Sequence, residues 1–322
     1  MSKISSLTSD TGIKQLPRSV EMLKDLKILD VGGKYIEAKR SFSRRRVHRI
    51  QFFSTSLSCL ALKNCGFSEA DIPRDIGSLS SLTDLDLSGN SFRRLPFDFS
   101  NLQSLRNLHL NDCENLQILP SVSNLQRLKV FDVVNCKKLV NITGLDNLLS
   151  LHFMSMVNCT SLQNPFNEGF FSAHALAFPS MRLEIYLQSN EIPHWCNNQV
   201  TSSSICFTMP THNKVYVFRM ILARVRKFAN IPTSRGFHSR GLSFNIAGKM
   251  SSRGNWVYDY VIPDGQAELL CVLYRSFLEE PFDCPMKGGE CIQITEMQIA
   301  EIGEECTVKK IGIHLRIFRP TW

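Results

Sequence analysis

The stretch Leu82-Thr83-Asp84-Leu85-Asp86-Leu87-Ser88-Gly89-Asn90-Ser91-Phe92 decides the fold. Leu85 and Leu87 stand two residues apart, so on a short strand both point to one face. Asn90 closes the strand, where a side-chain amide can bond the backbone of a neighbouring coil. Phe92 then turns back into the apolar side. One such coil cannot bury its own apolar face, so the reading requires neighbours.

The neighbours are present. Leu57-x-x-Leu60-x-Leu62-x-x-Cys65-x-Phe67 precedes it. Leu105-x-x-Leu108-x-Leu110-x-x-Cys113, Leu128-x-x-Phe131-x-Val133-x-x-Cys136 and Leu151-x-x-Met154-x-Met156-x-x-Cys159 follow. This is the leucine-rich repeat pattern, and the anchors Cys65, Asn90, Cys113, Cys136 and Cys159 lie 25, 23, 23 and 23 residues apart. Repeats of this kind run roughly 20–29 residues. A fainter first unit, Leu23-x-x-Leu26-x-x-Leu29-x-Val31, brings the expected solenoid to about six coils.

After Asn164 the rhythm stops. Ile205, Phe207 and Met209 alternate, Val215 to Val225 is nearly continuously apolar, and Leu242, Phe244 and Ile246 alternate again. Leu269 to Tyr274 is a short apolar run, and Ile311, Ile313, Leu315 and Ile317 alternate near the end. Strands broken by Gly, Pro, Asn and Ser clusters predict an antiparallel sandwich. The expected division is a repeat domain over 1–165 and an all-β domain over 180–322.

A chain of 322 residues has room for both domains. No apolar run approaches the ~18 residues of a bilayer span. Met1 to Ser6 carry no apolar signal core, so secretion is not expected. Eleven cysteines is an odd count, which argues against a disulfide framework. Cys65, Cys113, Cys136 and Cys159 read instead as buried thiols at the anchor position, in a reducing compartment. Asn158-Cys159-Thr160 forms a glycosylation sequon across one of these anchors, so that sequon and Asn141-Ile142-Thr143 are read as accidental.

The net charge of +8 is concentrated. Lys34, Lys39, Arg40, Arg44, Arg45, Arg46 and Arg49 share one window with a single acid, Glu37. The wider spacing from Leu29 to Leu60 makes residues 34–50 a loop insertion between coils. The alternative is a nuclear-import or anionic-surface patch. The rest of the chain is nearly balanced, which disfavours nucleic acid as a partner of the whole protein.

No catalytic constellation emerges. The histidines are scattered. His194-Trp195-Cys196 reads as a strand-end turn, because a thiol nucleophile needs an adjacent base that nothing here supplies. Cys271, Cys284, Cys291 and Cys306 are 13, 7 and 15 residues apart, unlike the short ligand spacings of zinc sites. Neither a metal nor a cofactor is expected.

The repeat does place a candidate surface. Strand residues between the inward leucines face the open, concave side. That assigns Asp84, Asp86, Asn107, His109, Asn111 and Asp132 to a polar and acidic centre. Val130, Val134, Phe153 and Val157 form an apolar end, which calls for a cover from the second domain or from a protein ligand. Partner binding is therefore expected at Asp84, Asp86, Asn107, His109, Asn111, Asp132, Val130 and Phe153.

Two phrases in the second half narrow the family. Glu191-Ile192-Pro193-His194-Trp195, followed by Ser202-Ser203-Ser204-Ile205, is one. Val308-Lys309-Lys310-Ile311-Gly312-Ile313-His314-Leu315 is the other. Both resemble the domain that follows the repeats in plant TIR–nucleotide-binding–leucine-rich-repeat immune receptors, the C-terminal jelly-roll/immunoglobulin-like domain (C-JID). The repeat wording from Asp75 to Asn90, with Leu95-Pro96 after it, resembles that family too. The resemblance runs from about Ile13 to Phe318. It departs at Gln188-Ser189-Asn190, where the family carries Pro-Gly-Ser, at Cys196 after the Trp, and at Ile311 after the Lys pair.

The resemblance implies a cytoplasmic or nuclear sensing module that binds a pathogen effector through the concave face and loops of the second domain. In the family, such binding releases autoinhibition and assembles TIR domains that cleave NAD. The chain has no G-x-x-x-x-G-K-[ST] phosphate loop, since Gly32-Gly33-Lys34 is followed by Tyr35. It reads as the sensing end of a receptor without the enzymatic parts, as a fragment or a truncated product. One alternative is a regulatory scaffold that pairs with full-length receptors. A second is an extracellular repeat protein, disfavoured because Ile72-Pro73 is the one Ile-Pro within the repeats.

Overall fold

Three-residue strands recur wherever the repeat pattern places them. They are β1 (Ser6–Thr8), β2 (Ile28–Asp30), β3 (Cys59–Ala61), β4 (Asp84–Asp86), β5 (Asn107–His109), β6 (Val130–Asp132) and the slightly longer β7 (Phe153–Met156). Each pairs in parallel with the next in chain order. The register aligns Leu29, Leu60, Leu85, Leu108, Phe131 and Met154 in one row, and every one of them is fully buried. The chain makes about four complete turns of a leucine-rich-repeat solenoid from β3 to β7. β1 was not foreseen: Ser6-Leu7-Thr8 carries a single apolar residue and no repeat motif.

The computed structural model describes residues 6–8, 25–31, 54–163, 166, 170, 182–187, 192, 196, 198–202, 204–208, 216–227, 240–248, 251–260, 268–275, 291–297 and 306–317. The basic window at 34–50 and the pair His194-Trp195 lie outside these residues. The chain divides into two compact units, Met1–Ala177 and Phe178–Trp322.

The strands of the first unit are short because the residue before each anchor leaves the extended region. Asn64, Asp112, Asn135 and Asn158 have φ between 57° and 61°, and Gly89 has φ 69°. This left-handed conformation is tolerated by Gly, Asn and Asp and costs other residues more. The backbone ladder nevertheless continues through the bend. Leu62, Leu87, Leu110 and Val133 donate N–H groups to Asp86, His109, Asp132 and Ser155 at 2.8–2.9 Å.

The return path of each coil is equally regular. Leu79, Leu102, Leu125 and Leu148 are buried, and each donates its N–H to a carbonyl three residues back. Short 3-10 turns form at Arg74–Ser78 and Leu145–Asn147. Single-residue parallel bridges link Arg94, Ile118 and Asn141 on this side. The core is thus a column of Leu, Phe, Ile and Val between strand and return path. Each fully buried side chain in it contributes about 1.5–3 kcal/mol of transfer free energy.

Strands are the regular elements of the second unit among its described residues. It contains β8 (Arg182–Leu187), β9 (Asn198–Val200), β10 (Ser204–Thr208), β11 (Tyr216–Lys227), β12 (Arg240–Gly248), β13 (Ser251–Tyr260), β14 (Glu268–Arg275), β15 (Cys291–Met297) and β16 (Cys306–Ile317). Every pairing is antiparallel. One set runs β8-β14-β11-β16-β9 and the other β10-β15-β12-β13. β13 has no apolar alternation in Ser251-Ser252-Arg253-Gly254-Asn255, which hid it from a pattern-based reading. Among the described residues, no helix is long and apolar enough to cross a membrane.

Candidate functional site

Two side-chain rows stand on the strand face opposite the core. One follows the first residue of each strand: Cys59, Asp84, Asn107, Val130 and Phe153. The other follows the third: Ala61, Asp86, His109, Asp132 and Ser155. From β4 to β6 the burial alternates half-buried, buried, half-buried along each strand. The middle residue enters the core and its two neighbours line the outer face, as the period of two dictates. Adjacent strands lie about 4.8 Å apart, so successive members of a row are in reach of one another.

The polar members use that proximity. Asn107 Nδ2 donates to Asp84 Oδ1 one strand away. Thr83 Oγ1 lies 2.6 Å from the other carboxylate oxygen of Asp84 and 2.9 Å from the Ser58 carbonyl, two acceptors for its single proton. Asp86 Oδ1 accepts the Ser88 N–H at 3.0 Å, which fixes the bend after β4. His109 Nδ1 lies 3.0 Å from Asp132 Oδ2, an ion pair when the imidazole is protonated. The hydrogen bond that His109 donates to Asp132 raises the His109 pKa, burial lowers it, and the charges of Asp132, Asp86 and Asp84 raise it; the net direction is up. The centre of this face is therefore a strip of three carboxylates with one titrating cation among them.

Asn111 is tied into the stack. Its Oδ1 accepts the Val134 N–H at 2.9 Å, and its own N–H donates to Ser88 Oγ at 3.2 Å. It stitches three coils together. Val130 and Phe153 are half-buried and continue the first row as apolar members. Val134 is half-buried, whereas Ser155 and Val157 of the last coil are buried.

The anchor row lies behind the strands. Asn90 Nδ2 donates to the carbonyls of Leu87 at 2.7 Å and Leu62 at 2.8 Å, while Oδ1 accepts the Phe67 N–H at 2.9 Å. Cys113, Cys136 and Cys159 place Sγ at 3.4, 3.1 and 2.9 Å from the carbonyls of Leu87, Leu110 and Val133 in the preceding coil. Burial pushes the thiols of Cys113 and Cys159 up to about 12 and that of Cys136 higher still. Cys65 departs from the burial expected of it. It is half-buried, and its Sγ faces the Lys63 carbonyl of its own coil at 3.6 Å instead of reaching back one coil.

A third row was missed by the leucine pattern. Asn158 Nδ2 donates to Asn135 Oδ1 at 2.8 Å, and Asn135 Nδ2 donates to Asp112 Oδ1 at 2.5 Å. These are the left-handed residues before the anchors. The signal was visible as Asn64, Gly89, Asp112, Asn135 and Asn158, an Asn, Gly or Asp one residue before every anchor. Among the described residues, no group of three or more His, Cys, Asp or Glu side chains is placed to hold a metal ion.

Residues 40–171 match the family model described as leucine-rich repeat region. A solved leucine-rich repeat protein of Leptospira interrogans is similar at 25% identity over 52% of this chain and 39% of that one, with a TM-score of 0.39. The chain thus spans about two fifths of that protein's length. The comparison with curated proteins gives no match. Repeat match and solenoid together mark the first unit as a leucine-rich repeat domain, the kind of surface that binds protein partners.

Proposed function

We propose that the chain is a non-enzymatic recognition module that binds a protein partner through the strand face of its repeats. The observation that carries this reading is the strip Asp84, Asp86 and Asp132. It is half-buried, held by Thr83, Asn107, Ser88 and His109, and carried on rigid strands rather than loops. Carboxylates ordered in this way lose little entropy when a cationic partner pairs with them. A basic protein surface is the complementary ligand.

The finer reading rests on the sequence resemblance. The partner is a pathogen effector, and the chain is the sensing part of an intracellular plant immune receptor, in the cytoplasm with the nucleus as a second site. The second unit then corresponds to the jelly-roll/immunoglobulin-like domain of that family, its loops adding to the contact. Its all-antiparallel pairing supports this assignment, as do the phrases at Glu191 to Trp195 and Val308 to Leu315.

An arrayed set of cloned effector proteins from plant pathogens tests the reading. Binding is measured for the wild-type chain and for Asp86→Arg and Asp132→Arg. A basic effector should bind the wild type, and either reversal should weaken it at least about tenfold, as loss of close charge pairs does at other interfaces. Equal binding by all three proteins would remove the strand face from the contact. If no effector binds while a full-length receptor of the same plant does, the chain is a regulatory partner instead.

A further inference from the structure

The second unit holds a pair of thiols that the recognition reading does not use. Cys206 lies on β10 and Cys291 begins β15, and these strands pair antiparallel with Cys206 opposite Gln293 and Thr208 opposite Cys291. Side chains two residues apart on a strand share a face, so Cys206 and Cys291 are diagonal neighbours on one face. Their Sγ atoms are 2.8 Å apart. Cys206 is exposed and Cys291 half-buried. β10 is the terminal strand of the set β10-β15-β12-β13, with β15 beside it.

We propose that Cys206 and Cys291 form a redox-sensitive dithiol that closes to a disulfide by exchange with a low-molecular-weight disulfide such as oxidised glutathione. The exposed Cys206 thiolate attacks one sulfur of the small disulfide. A mixed disulfide forms on Cys206, and the first small thiolate leaves. The Cys291 thiolate, already beside that sulfur, then attacks it and expels the second small thiolate. The two protons given up by Cys206 and Cys291 end on the two departing thiolates. The protein loses two electrons, the small disulfide gains them, and no other reactant is needed.

Geometry sets the outcome of the second step. A resolving thiol in contact acts at a high effective concentration, so the mixed disulfide is short-lived. The closed pair ties the terminal strand β10 to β15 across 85 residues of sequence. A bridge over so long a loop removes considerable freedom from the unfolded chain. The reduced pair belongs to a reducing compartment, and closure answers a rise in the small-disulfide pool.

The test treats the full chain with graded ratios of oxidised to reduced glutathione, followed by acid quench and non-reducing peptide mapping. The expected product is a peptide carrying Cys206 linked to Cys291, with the thermal midpoint raised by roughly 5 °C. Cys291→Ser should instead accumulate glutathione on Cys206, because nothing resolves the adduct. A stable glutathione adduct on Cys206 of the wild type would overturn the proposal, and so would linkage of Cys206 to a different cysteine. An unchanged or lowered midpoint for the linked protein would overturn the strand-tying role. The wild-type map reads the result even if the variant fails to fold.

Discussion

Two rows of polar side chains cross the same coils and end in opposite states. The anchor row, Asn90, Cys113, Cys136 and Cys159, is buried and directs its donors at carbonyls inside the molecule. The strand-face row, Asp86, His109 and Asp132, is half-buried and carries net negative charge. Both rows repeat every 23 residues and sit within four residues of each other in every coil. The difference teaches that the period alone does not distinguish structure from function. What distinguishes them is burial: the anchor side chains are shut away from solvent with their partners, while Asp86, His109 and Asp132 keep an open edge. Asn111 combines the two, half-buried on the strand side yet serving the Val134 N–H.

The largest expected effect is at Asn90. Asn90→Ala abandons the Phe67 N–H and the Leu62 carbonyl in a buried setting, while the Leu87 carbonyl keeps the Cys113 thiol. Each orphaned group costs about 1–3 kcal/mol, so a total near 3 kcal/mol is expected from urea unfolding. Asn90→Cys should recover part of the loss. A thiol there can reach the Leu62 carbonyl as Cys113 reaches that of Leu87, but nothing would accept the Phe67 N–H. A loss below about 1 kcal/mol for the alanine variant would show that the anchor row is not what joins these coils.

Next comes alkaline pH. Burial raises the folded pKa of Cys113 and Cys159 to about 12, and that of Cys136 further, well above the unfolded value near 8.5. A folded pKa raised above the unfolded one means stability that is intact below about pH 8.5 and lost as pH climbs toward the folded value. Each thiol should cost about 1 kcal/mol between pH 8.5 and 9.5. Unfolding at the two pH values for wild type and Cys136→Ala should show the variant losing about one thiol's share less. A wild type indifferent to pH in this window would place these thiols in water.

Gly89 tests the bend. Its φ of 69° is one that an L side chain resists, and an added Cβ would meet Asn64 Oδ1. Gly89→Ala should cost about 1 kcal/mol, the left-handed penalty, with the Asn64 amide turning aside. Gly89→Asn, the residue type of the neighbouring coils, should cost less if Asn64 can pair with it as Asn135 pairs with Asn158. The two unfolding midpoints, compared in one denaturant series, rank the substitutions.

These rows also show what a sequence can and cannot disclose. The strand positions were legible because Leu85, Leu108 and Phe131 must be buried together, and burial imposes a period. The acidic face was legible by elimination, as the complement of those positions. The donors and acceptors were not. That Asp84 is held by Asn107, or His109 by Asp132, depends on in-register pairing of adjacent strands, a property of the stack and not of one coil. The thiol pair Cys206 and Cys291 was illegible for the same reason. Its members are 85 residues apart and meet only through the β10–β15 register. β13 was hidden because its first half, Ser251 to Asn255, is polar, and Trp256-Val257-Tyr258 alone is too short a run to read as a strand.

His109 refines the strand-face side of the comparison. Its folded pKa is raised, chiefly by the hydrogen bond it donates to Asp132. The pair's contribution is therefore complete below the unfolded value of about 6.5 and fades as pH rises through the folded value. The pair is partly open to solvent, so this amounts to under about 1 kcal/mol. His109→Gln should remove it: the stability difference between wild type and variant should be larger at pH 6.0 than at pH 8.0. A constant difference would mean that the imidazole stays neutral throughout.

The smallest effect on folding is expected at Asp86, and it carries the most functional information. Asp86 is half-buried on the strand face, and its role in the fold is a hydrogen bond accepted from the Ser88 N–H. Asp86→Arg leaves the leucine column untouched and should shift stability by no more than about 1 kcal/mol, the worth of that single bond. The reversal changes the strip by two charges between Asp84 and Asp132, where a cationic partner would sit. Its effect on binding should grow as ionic strength falls, because the Debye length lengthens from about 8 Å at physiological salt to about 30 Å at 0.01 M. Binding should also tighten as pH rises past the His109 pKa, since the loss of that proton leaves the three carboxylates uncompensated. A partner whose affinity ignores both salt and the Asp86→Arg change, while still requiring Phe153 or Val130, would move the contact from the acidic centre to the apolar end of the same face.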